Sequence, residues 1–196
     1  MKKIIAIIGI CTLMFSCDVV QQVTGAYQFT QCKYDFQSIS AMTLAGINMQ
    51  NISSLSSLNP LNLTTLMAAF ATKDGSLPLS FVLNLDVSNP GTQAALLNGL
   101  GYILEIDGRE MTTGSLNQKL QIDGGKKAVL PIQMSFDVKK ALSGESLTSI
   151  KNLVFNFAGI GSEASNVTFR LKPSFTVGNQ VIASPNYIPV SFQLNK

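Results

Sequence analysis

The fold is decided by the stretch Leu79-Ser80-Phe81-Val82-Leu83-Asn84-Leu85-Asp86-Val87, in which every odd-numbered residue is apolar. Successive side chains of a strand point to opposite faces, so this alternation predicts a half-buried strand of an antiparallel sheet. The turn sequence Ser88-Asn89-Pro90-Gly91 follows it. Because proline has no N–H to extend a ladder, the strand should end there.

The same alternation recurs along most of the chain and predicts an all-β protein. The strand-like stretches are 33–49, 79–87, 100–106, 109–111, 116–122, 128–138, 153–157, 167–171, 175–177 and 188–194. Turn sequences such as Asp107-Gly108 separate them. Seven or eight strands spaced in this way predict an antiparallel β-sandwich with one or two short helices. Pro131 falls on the outward side of its strand, which predicts an edge position.

Segment 60–72 departs from this pattern and predicts a helix. Its apolar residues have the helical spacing i, i+3, i+4 and i+7, and they are Leu63, Leu66, Met67 and Phe70. A helix that packs on the core is the favoured interpretation. A lipid-contacting helix is the alternative, although the segment lacks the Lys- and Arg-rich face of such helices. Shorter helical pieces are predicted at 138–142 and 147–150.

The first 17 residues resemble a bacterial lipoprotein signal. Lys2 and Lys3 are followed by an apolar region at 4–15, which is shorter than the ~20 residues of a membrane-spanning helix. Ser16 then precedes Cys17, as a small residue precedes the cysteine of a lipobox. By that resemblance, cleavage falls before Cys17, which receives diacylglycerol on its sulfur and an acyl chain, such as palmitate, on its amine. An ordinary signal peptide with a chance cysteine is the alternative.

The expected organisation of the chain follows from this signal. Residues 1–16 are a cleaved signal peptide, residues 17–31 hold the lipidated cysteine and a flexible tether, and residues 32–196 form one β-sandwich domain. Losing Lys2 and Lys3 lowers the formal charge from +3 to +1. Three acyl chains anchor a protein firmly, whereas one chain binds marginally. The chain is therefore expected on the outer membrane of a Gram-negative bacterium, facing the periplasm.

The composition excludes several kinds of chemistry. The chain has no His, so neither a Ser-His-Asp nor a Cys-His nucleophile is possible, and no imidazole can bind a metal. Charged residues make up only 13% of the chain, which argues against a basic stripe for nucleic acid. The sequence has no calcium loop, phosphate loop or Cys-x-x-Cys pair. We therefore expect no metal site, no cofactor and no enzymatic activity.

Two sets of side chains are weaker candidates for chemistry. Glu105, Asp107 and Glu110 gather around one hairpin together with Arg109, and a solvated, charge-balanced turn is favoured over a paired-carboxylate site. Cys32 is the cysteine that is left after the signal and the lipidated position, so no intramolecular disulfide is expected. A half-buried hydrophobic role for Cys32 is favoured over a reactive thiol.

The order of motifs from residue 79 to 136 resembles the water-stress-and-hypersensitive-response (WHy) domain of the late embryogenesis abundant (LEA) group 2 proteins. The matching elements are Asn89-Pro90, Leu100-Gly101-Tyr102-Ile103-Leu104-Glu105-Ile106-Asp107-Gly108, Thr113-Gly114 and Ala128-Val129-Leu130-Pro131-Ile132. Gly91 departs from the pattern, since a second Asn often follows Asn-Pro in this family. The resemblance implies a fibronectin-III-like or immunoglobulin-like sandwich, and it supplies no catalytic residue.

Physical chemistry favours structural roles for the motif residues. Tyr102 should place its ring in the core and its hydroxyl near the rim. Gly108 and Gly114 should occupy turn or bulge positions with a positive φ angle.

The sequence therefore predicts a non-enzymatic, lipid-anchored protein of the cell envelope whose LEA group 2-like domain binds or protects other proteins under stress. Its partners would be the membrane and an envelope protein or lipid, and not nucleic acid. The alternative is a periplasmic module that binds or transfers a lipid or a small apolar ligand, in a cleft between the sheets or under the helix at 60–72.

Overall fold

The computed structural model describes residues 19–72 and 75–194, and within these ranges the chain forms eleven β-strands and four α-helices. The strands are β1 (Lys33–Leu44), β2 (Ile47–Asn48), β3 (Pro78–Ser88), β4 (Ala95–Leu97), β5 (Gly99–Ile106), β6 (Arg109–Leu116), β7 (Leu120–Ile122), β8 (Lys127–Asp137), β9 (Ser165–Val177), β10 (Gln180–Ala183) and β11 (Ile188–Leu194). The helices are α1 (residues 19–30), α2 (Pro60–Ala71), α3 (Val138–Ala141) and α4 (Leu147–Phe157).

The strands form two antiparallel sheets and a small ribbon. One sheet has the order β2-β1-β3-β8, and the other has the order β10-β9-β5-β6 with β11 also paired to β9. The strands β4 and β7 make the ribbon. This sandwich-like arrangement confirms the predicted antiparallel β fold with a few short helices.

The central strand β3 contains the alternating stretch from which the fold was predicted. It pairs with β1 on one side and with β8 along its full length on the other. Its odd-numbered residues from Leu79 to Val87 are at most 2% exposed, while the even-numbered ones are half-buried. Pro131 lies opposite Asn84 on β8, which is an edge strand as predicted.

One hydrophobic cluster occupies the space between the sheets. Leu85 of β3, Leu104 of β5 and Phe169 of β9 all have fully buried side chains. The ring of Phe36 on β1 stacks on that of Phe192 on β11, with 4.0 Å between the centroids, and so joins the two sheets at one side. The burial of apolar side chains in such a closely packed cluster supplies most of the favourable free energy of folding.

The chain before β1 is a helix that packs on the sandwich. The helix α1 buries Ala26 and Phe29, and the Phe29 ring meets Tyr34 and Phe175 at centroid distances of 5.8 and 6.4 Å. The predicted flexible tether is therefore wrong for residues 19–30, because burying these side chains offsets the entropy lost on ordering the segment. Within the described ranges, no helix is both long enough and apolar enough to cross a membrane.

The helix α2 confirms the prediction for segment 60–72. Pro60 occupies the first helical turn, and the side chain of Asn59 accepts a backbone N–H from that turn. Leu66 and Phe70 are buried, but Met67, which was predicted for the same face, is 39% exposed. Fewer apolar side chains of α2 are therefore buried against the rest of the protein than the sequence spacing predicted.

A buried lysine ties α3 to the end of α2. Lys139 is only 8% exposed, and its Nζ donates hydrogen bonds to the carbonyl oxygens of Ala69, at 2.6 Å, and Thr72. A cation is favourable at this position because the carbonyl end of a helix carries partial negative charge.

The segment 147–157 is a helix, so the predicted β block beginning at Leu153 is wrong there. The Oγ of Ser146 accepts a hydrogen bond from the N–H of Ser149, at 3.1 Å, and caps the helix. The buried residues are Ile150, Leu153, Val154, Phe155 and Phe157. Four of these have the spacing i, i+3, i+4 and i+7, which outweighs the two-residue alternation at 153, 155 and 157.

The strand β3 separates two ends of the sandwich. After its last residue, Asn89 accepts a hydrogen bond from Gln28 of α1 at 3.0 Å. Before its first residue, the carbonyl of Leu77 accepts the N–H of Val138 in α3, also at 3.0 Å. An eleven-residue strand spans about 33 Å. We refer to these two regions as the α1 end and the α2 end.

Candidate functional site

The predicted lipidation residue, Cys17, lies outside the described residues, two positions before Val19. Its acylation therefore stays a prediction. The structure does place the other sequence-predicted candidates, which are the acidic hairpin, Cys32 and the WHy-like motif residues.

Two of the three acidic residues around the β5–β6 hairpin have separate partners, and the third, Glu110, is exposed and lies opposite Glu105. Glu105 forms an ion pair with Arg170, with 2.8 Å between Oε1 and Nη2. Asp107 accepts a backbone N–H from β9 at 2.8 Å. Arg109 pairs with Glu145 in the α3–α4 loop, at 3.4 Å. Across the part of the chain that the structure describes, no three Cys, Asp or Glu side chains are close enough to hold a metal ion.

Cys32 lies in the junction between α1 and β1. It is 8% exposed, and burial raises the pKa of its thiol to about 11. Because the thiolate is the reactive form, a buried thiol that stays protonated at neutral pH is a poor nucleophile. These properties favour the packing role for Cys32.

The two glycines of the WHy-like motif serve different purposes. Gly108 has a φ of +75° and follows Asp107, with a φ of +50°, in the tight hairpin turn that the sequence predicted. Gly114 lies in an extended strand directly opposite Tyr102, and the expectation of a positive φ is wrong there. A Cβ at Gly114 would lie 2.4 Å from the Tyr102 hydroxyl oxygen, so the glycine makes room for the ring.

Asn89 holds the α1 end together. Its side chain is 1% exposed and makes four hydrogen bonds. Nδ2 donates to the carbonyl oxygens of Gln93 and Ile122, at 2.8 and 2.9 Å. Oδ1 accepts from Nε2 of Gln28 and from the N–H of Gly91, both at 3.0 Å. The residue therefore links α1, the turn after β3 and the strand β7 through one amide.

Sequence reasoning identified Asn89-Pro90 only as the end of a strand. The buried position of Asn89 was visible in principle, because it continues the odd-numbered inward set of β3. Its partners come from segments that are distant in the chain, and no local pattern identifies them.

An open pocket of about 450 Å³ lies at the α2 end, where β1, the loop after β2 and the end of α4 meet. Its apolar lining residues are Ile39, Met42, Met49, Ile52, Phe157 and Leu194. Ala41 and Asn51, which also line it, have φ angles of +51° and +69°, a strained conformation for residues other than glycine. The volume falls within the range of about 300–1,000 Å³ that is typical of small-molecule sites.

Residues of both sheets line this pocket, through β1 and Leu194 of β11, whereas no α2 residue lines it. It is therefore not the site under α2 that the sequence suggested for an apolar ligand. The segments that form it are far apart in the sequence, so periodicity alone could not locate it.

The edge strand β8 is a second candidate surface. β8 is the last strand of its sheet, and Val129 on it is 43% exposed. An exposed edge strand can pair with a strand of another protein, although Pro131 removes one of the N–H groups that such pairing uses.

Comparison with known proteins gives distant structural neighbours. No protein-family model and no curated protein matches the chain. A crystal structure of a protein from Archaeoglobus fulgidus matches with 12% identity and a TM-score of 0.39, over 83% of this chain and 98% of that one. A solution structure of an Arabidopsis thaliana protein matches with 12% identity and a TM-score of 0.40, over 60% and 70% of the two chains. A solution structure described as a candidate LEA protein matches with 13% identity and a TM-score of 0.39, over 92% and 83%. Matches this distant assign no activity.

Proposed function

We propose that this chain is a non-enzymatic lipoprotein of the cell envelope, anchored through Cys17 in the outer membrane of a Gram-negative bacterium and facing the periplasm. Its LEA group 2-like sandwich then binds or protects other proteins under stress. The observation that carries the proposal is the N-terminal signal, with Lys2 and Lys3, the apolar region 4–15, and Ser16 before Cys17.

The surroundings of the potentially reactive groups support a binding role over catalysis. The sequence has no His, and Glu105 is paired with an arginine. Cys32 is buried with a raised thiol pKa. Glu105 lies directly opposite Glu110 in the hairpin, but its carboxylate is already bound to Arg170, which favours a structural role over general acid–base catalysis.

Acylation of Cys17 is the first test. In a Gram-negative host fed labelled palmitate, the native chain should incorporate the label, and its intact mass should equal residues 17–196 plus one diacylglyceryl group and one N-linked acyl chain. Cys17→Ser should lose the label and the whole modification, which is the diacylglyceryl group and the N-acyl chain, and should retain residues 1–16, because the acceptor sulfur is gone. Cys32→Ser, the matched control, should keep both label and processing. A native chain without acyl mass would rule out the proposed anchor.

Two observations support a protein as the partner of the anchored domain. The inward side chains of both sheets form one filled cluster, and β8 presents an exposed edge with an apolar residue, Val129. Strand addition at such an edge gives affinity through main-chain hydrogen bonds and needs no interior cavity.

The pocket at the α2 end favours a second candidate function, the binding of a small apolar ligand. Two methionines, Met42 and Met49, contribute to its lining, and methionine side chains adapt to differently shaped ligands. Ala41 and Asn51, two of the four described non-glycine residues with a positive φ angle, line the same pocket, and backbone strain of this kind often accompanies binding sites.

Native mass spectrometry of the detergent-extracted protein separates the two functions. We expect a protein partner in stoichiometric amount, which should be lost in Val129→Lys because a charge at the sheet edge blocks strand addition. The matched control is Leu61→Lys, which changes an exposed apolar residue of α2 and should keep the partner. Recovery of the chain with a bound lipid and no protein would favour the ligand-binding function instead.

A further inference from the structure

We propose that the pocket at the α2 end binds a neutral amphiphile, a small molecule with an apolar body and one uncharged hydrogen-bonding group. The inference rests on the second candidate function, the binding of a small apolar ligand, and specifies the chemistry of that ligand. Three features of the pocket support it: a bulge in β1, a lining without charge, and polar side chains at the rim that have no partner among the described residues.

A bulge in β1 lies where the pocket opens. Phe36 of β1 stacks on Phe192 of β11 and holds the two sheets together. Further along β1, the register with β3 shifts at Ala41 and Met42, and Ala41 has a φ of +51°. A bulge bends its strand and leaves the extra residue without a ladder partner. Both bulge residues line the pocket together with Leu194 of β11, so the space begins where β1 departs from regular pairing.

None of the described residues that line the pocket is charged. The segments 36–72 and 152–162, which supply all of its lining except Leu194, contain no Asp, Glu, Lys or Arg. The charged residue nearest to Leu194 in the chain is Lys196, which lies outside the described residues. A charged ligand group would lose hydration in the pocket without gaining an opposite charge. The lining therefore favours a neutral ligand over a fatty-acid anion, a phosphate or a cation.

The deepest lining side chains are apolar. Met49 and Phe157 are 3% and 2% exposed and still line the pocket. Ile39, Met42 and Ile52 surround them and are half-buried. An apolar ligand body that covers these side chains removes their remaining surface from water, which is the main favourable contribution to binding in such a site.

The rim of the pocket offers uncharged hydrogen-bonding groups. Gln50, Asn51 and Ser53 line it and are exposed. Their side chains make no hydrogen bond to another described residue, so they are available to a ligand. Amides and hydroxyls both donate and accept hydrogen bonds without carrying charge. A ligand hydroxyl or amide can therefore bind at the rim while the apolar body contacts Phe157.

Methionine methyl signals in NMR spectra can report binding to the full, acylated chain in phosphatidylcholine nanodiscs. Met42 and Met49 line the pocket, whereas Met67, Met111 and Met134 do not. The probes are decanol, decanoate and decyltrimethylammonium, which share one apolar chain and differ in the charge of the head. Decanol should shift the two lining signals saturably and leave the other three in place. Its Kd, referred to the measured free probe concentration, should be severalfold lower than that of either charged probe.

A matched pair of lysine substitutions tests whether the missing charge causes this preference. Gln50→Lys places a cation at the rim and should lower the Kd of decanoate severalfold, with the Kd of decanol nearly unchanged. Gln180→Lys makes the same change at an exposed residue of β10, which does not line the pocket, and should leave both values unchanged. Lys196→Gln should preserve the order of the three probes.

The outcomes separate this proposal from the function on which it rests. If a charged probe shifts the lining signals with a Kd as low as that of decanol, the pocket binds ligands but the proposed neutrality is wrong. If no probe shifts them, the ligand-binding function fails as well. Equal shifts at all five methionines would show unspecific partition and would overturn the proposal. An unchanged decanoate Kd in Gln50→Lys would also overturn it, because the ligand head would then not lie at the rim.

Discussion

Replacing Asn89 with Asp is expected to destabilise the fold by on the order of 3–5 kcal/mol, because it puts an unpaired charge in a buried site. The Nδ2 of Asn89 donates to two carbonyl oxygens, at 2.8 and 2.9 Å. A carboxylate oxygen in that place repels both of them and cannot donate. The residue is 1% exposed, so water cannot take over the lost hydrogen bonds.

Urea denaturation should show this loss as a lower midpoint with an unchanged slope. The deficit should shrink as the pH falls, because the folded state raises the pKa of a buried carboxyl, and the protonated acid can donate one hydrogen bond. Asn89→Ala should cost less, about 1–3 kcal/mol, since it leaves unpaired partners but adds no charge.

The matched control is Asn84→Asp on β3, five residues before Asn89. The Nδ2 of Asn84 donates to the hydroxyls of Ser38 and Ser40, at 3.1 and 3.2 Å. A hydroxyl can rotate and donate to the new carboxylate, and the site is half-buried, so this change should be nearly neutral. If the two aspartates cost the same, the hydrogen bonds of Asn89 are not what holds the α1 end.

The strands were predictable because alternate residues of a half-buried strand face the core and the solvent, so the local sequence shows which side is buried. In β3 the two-residue period runs without a break from Leu79 to Val87, and the structure buries that set. The same logic found Pro131 at a sheet edge, since a missing N–H is tolerated only there.

Two of the helices, α1 and α4, were harder to predict than α2, because α4 also fits a strand pattern and α1 buries few apolar side chains. In α4 the residues Leu153, Phe155 and Phe157 fit a strand, and only the additional burial of Ile150 and Val154 reveals the helical period. In α1 the stripe that packs on the sandwich is reduced to Ala26 and Phe29, which is too little for a pattern-based prediction. In both segments, contacts with distant parts of the chain determine the helical structure.

The candidate surfaces depend on which segments the fold brings together, and a single sequence does not contain that information. At the α1 end, for example, the hydrogen bond between Gln22 of α1 and Gly178 joins residues that are 156 positions apart in the chain. The exclusion of a chemistry, by contrast, can be read from the sequence, because it depends on composition and not on which segments the fold brings together. A chain without His has no imidazole catalyst in any fold.

Replacing Gly114 with Ala is expected to destabilise the protein by about 1–3 kcal/mol, the usual cost of overpacking. The added Cβ would lie 2.4 to 2.9 Å from three atoms of the Tyr102 side chain. That ring is held from its other side by Phe169, with 5.4 Å between the centroids, so it cannot move away freely. Thermal or urea denaturation of the full chain measures the loss.

The control for this change lies one residue from Tyr102. A Cβ at Gly101 would meet its nearest atoms, in Lys172, at 3.6 Å, which is ordinary contact. Gly101→Ala should therefore be neutral or slightly stabilising, because alanine loses less backbone entropy than glycine on folding. In a Tyr102→Ala background the cost of Gly114→Ala should largely disappear, since the clashing ring is gone. A cost that stays the same without the ring would mean that Gly114 is needed for another reason, and the packing of Tyr102 over the glycine would not explain this part of the WHy-like motif.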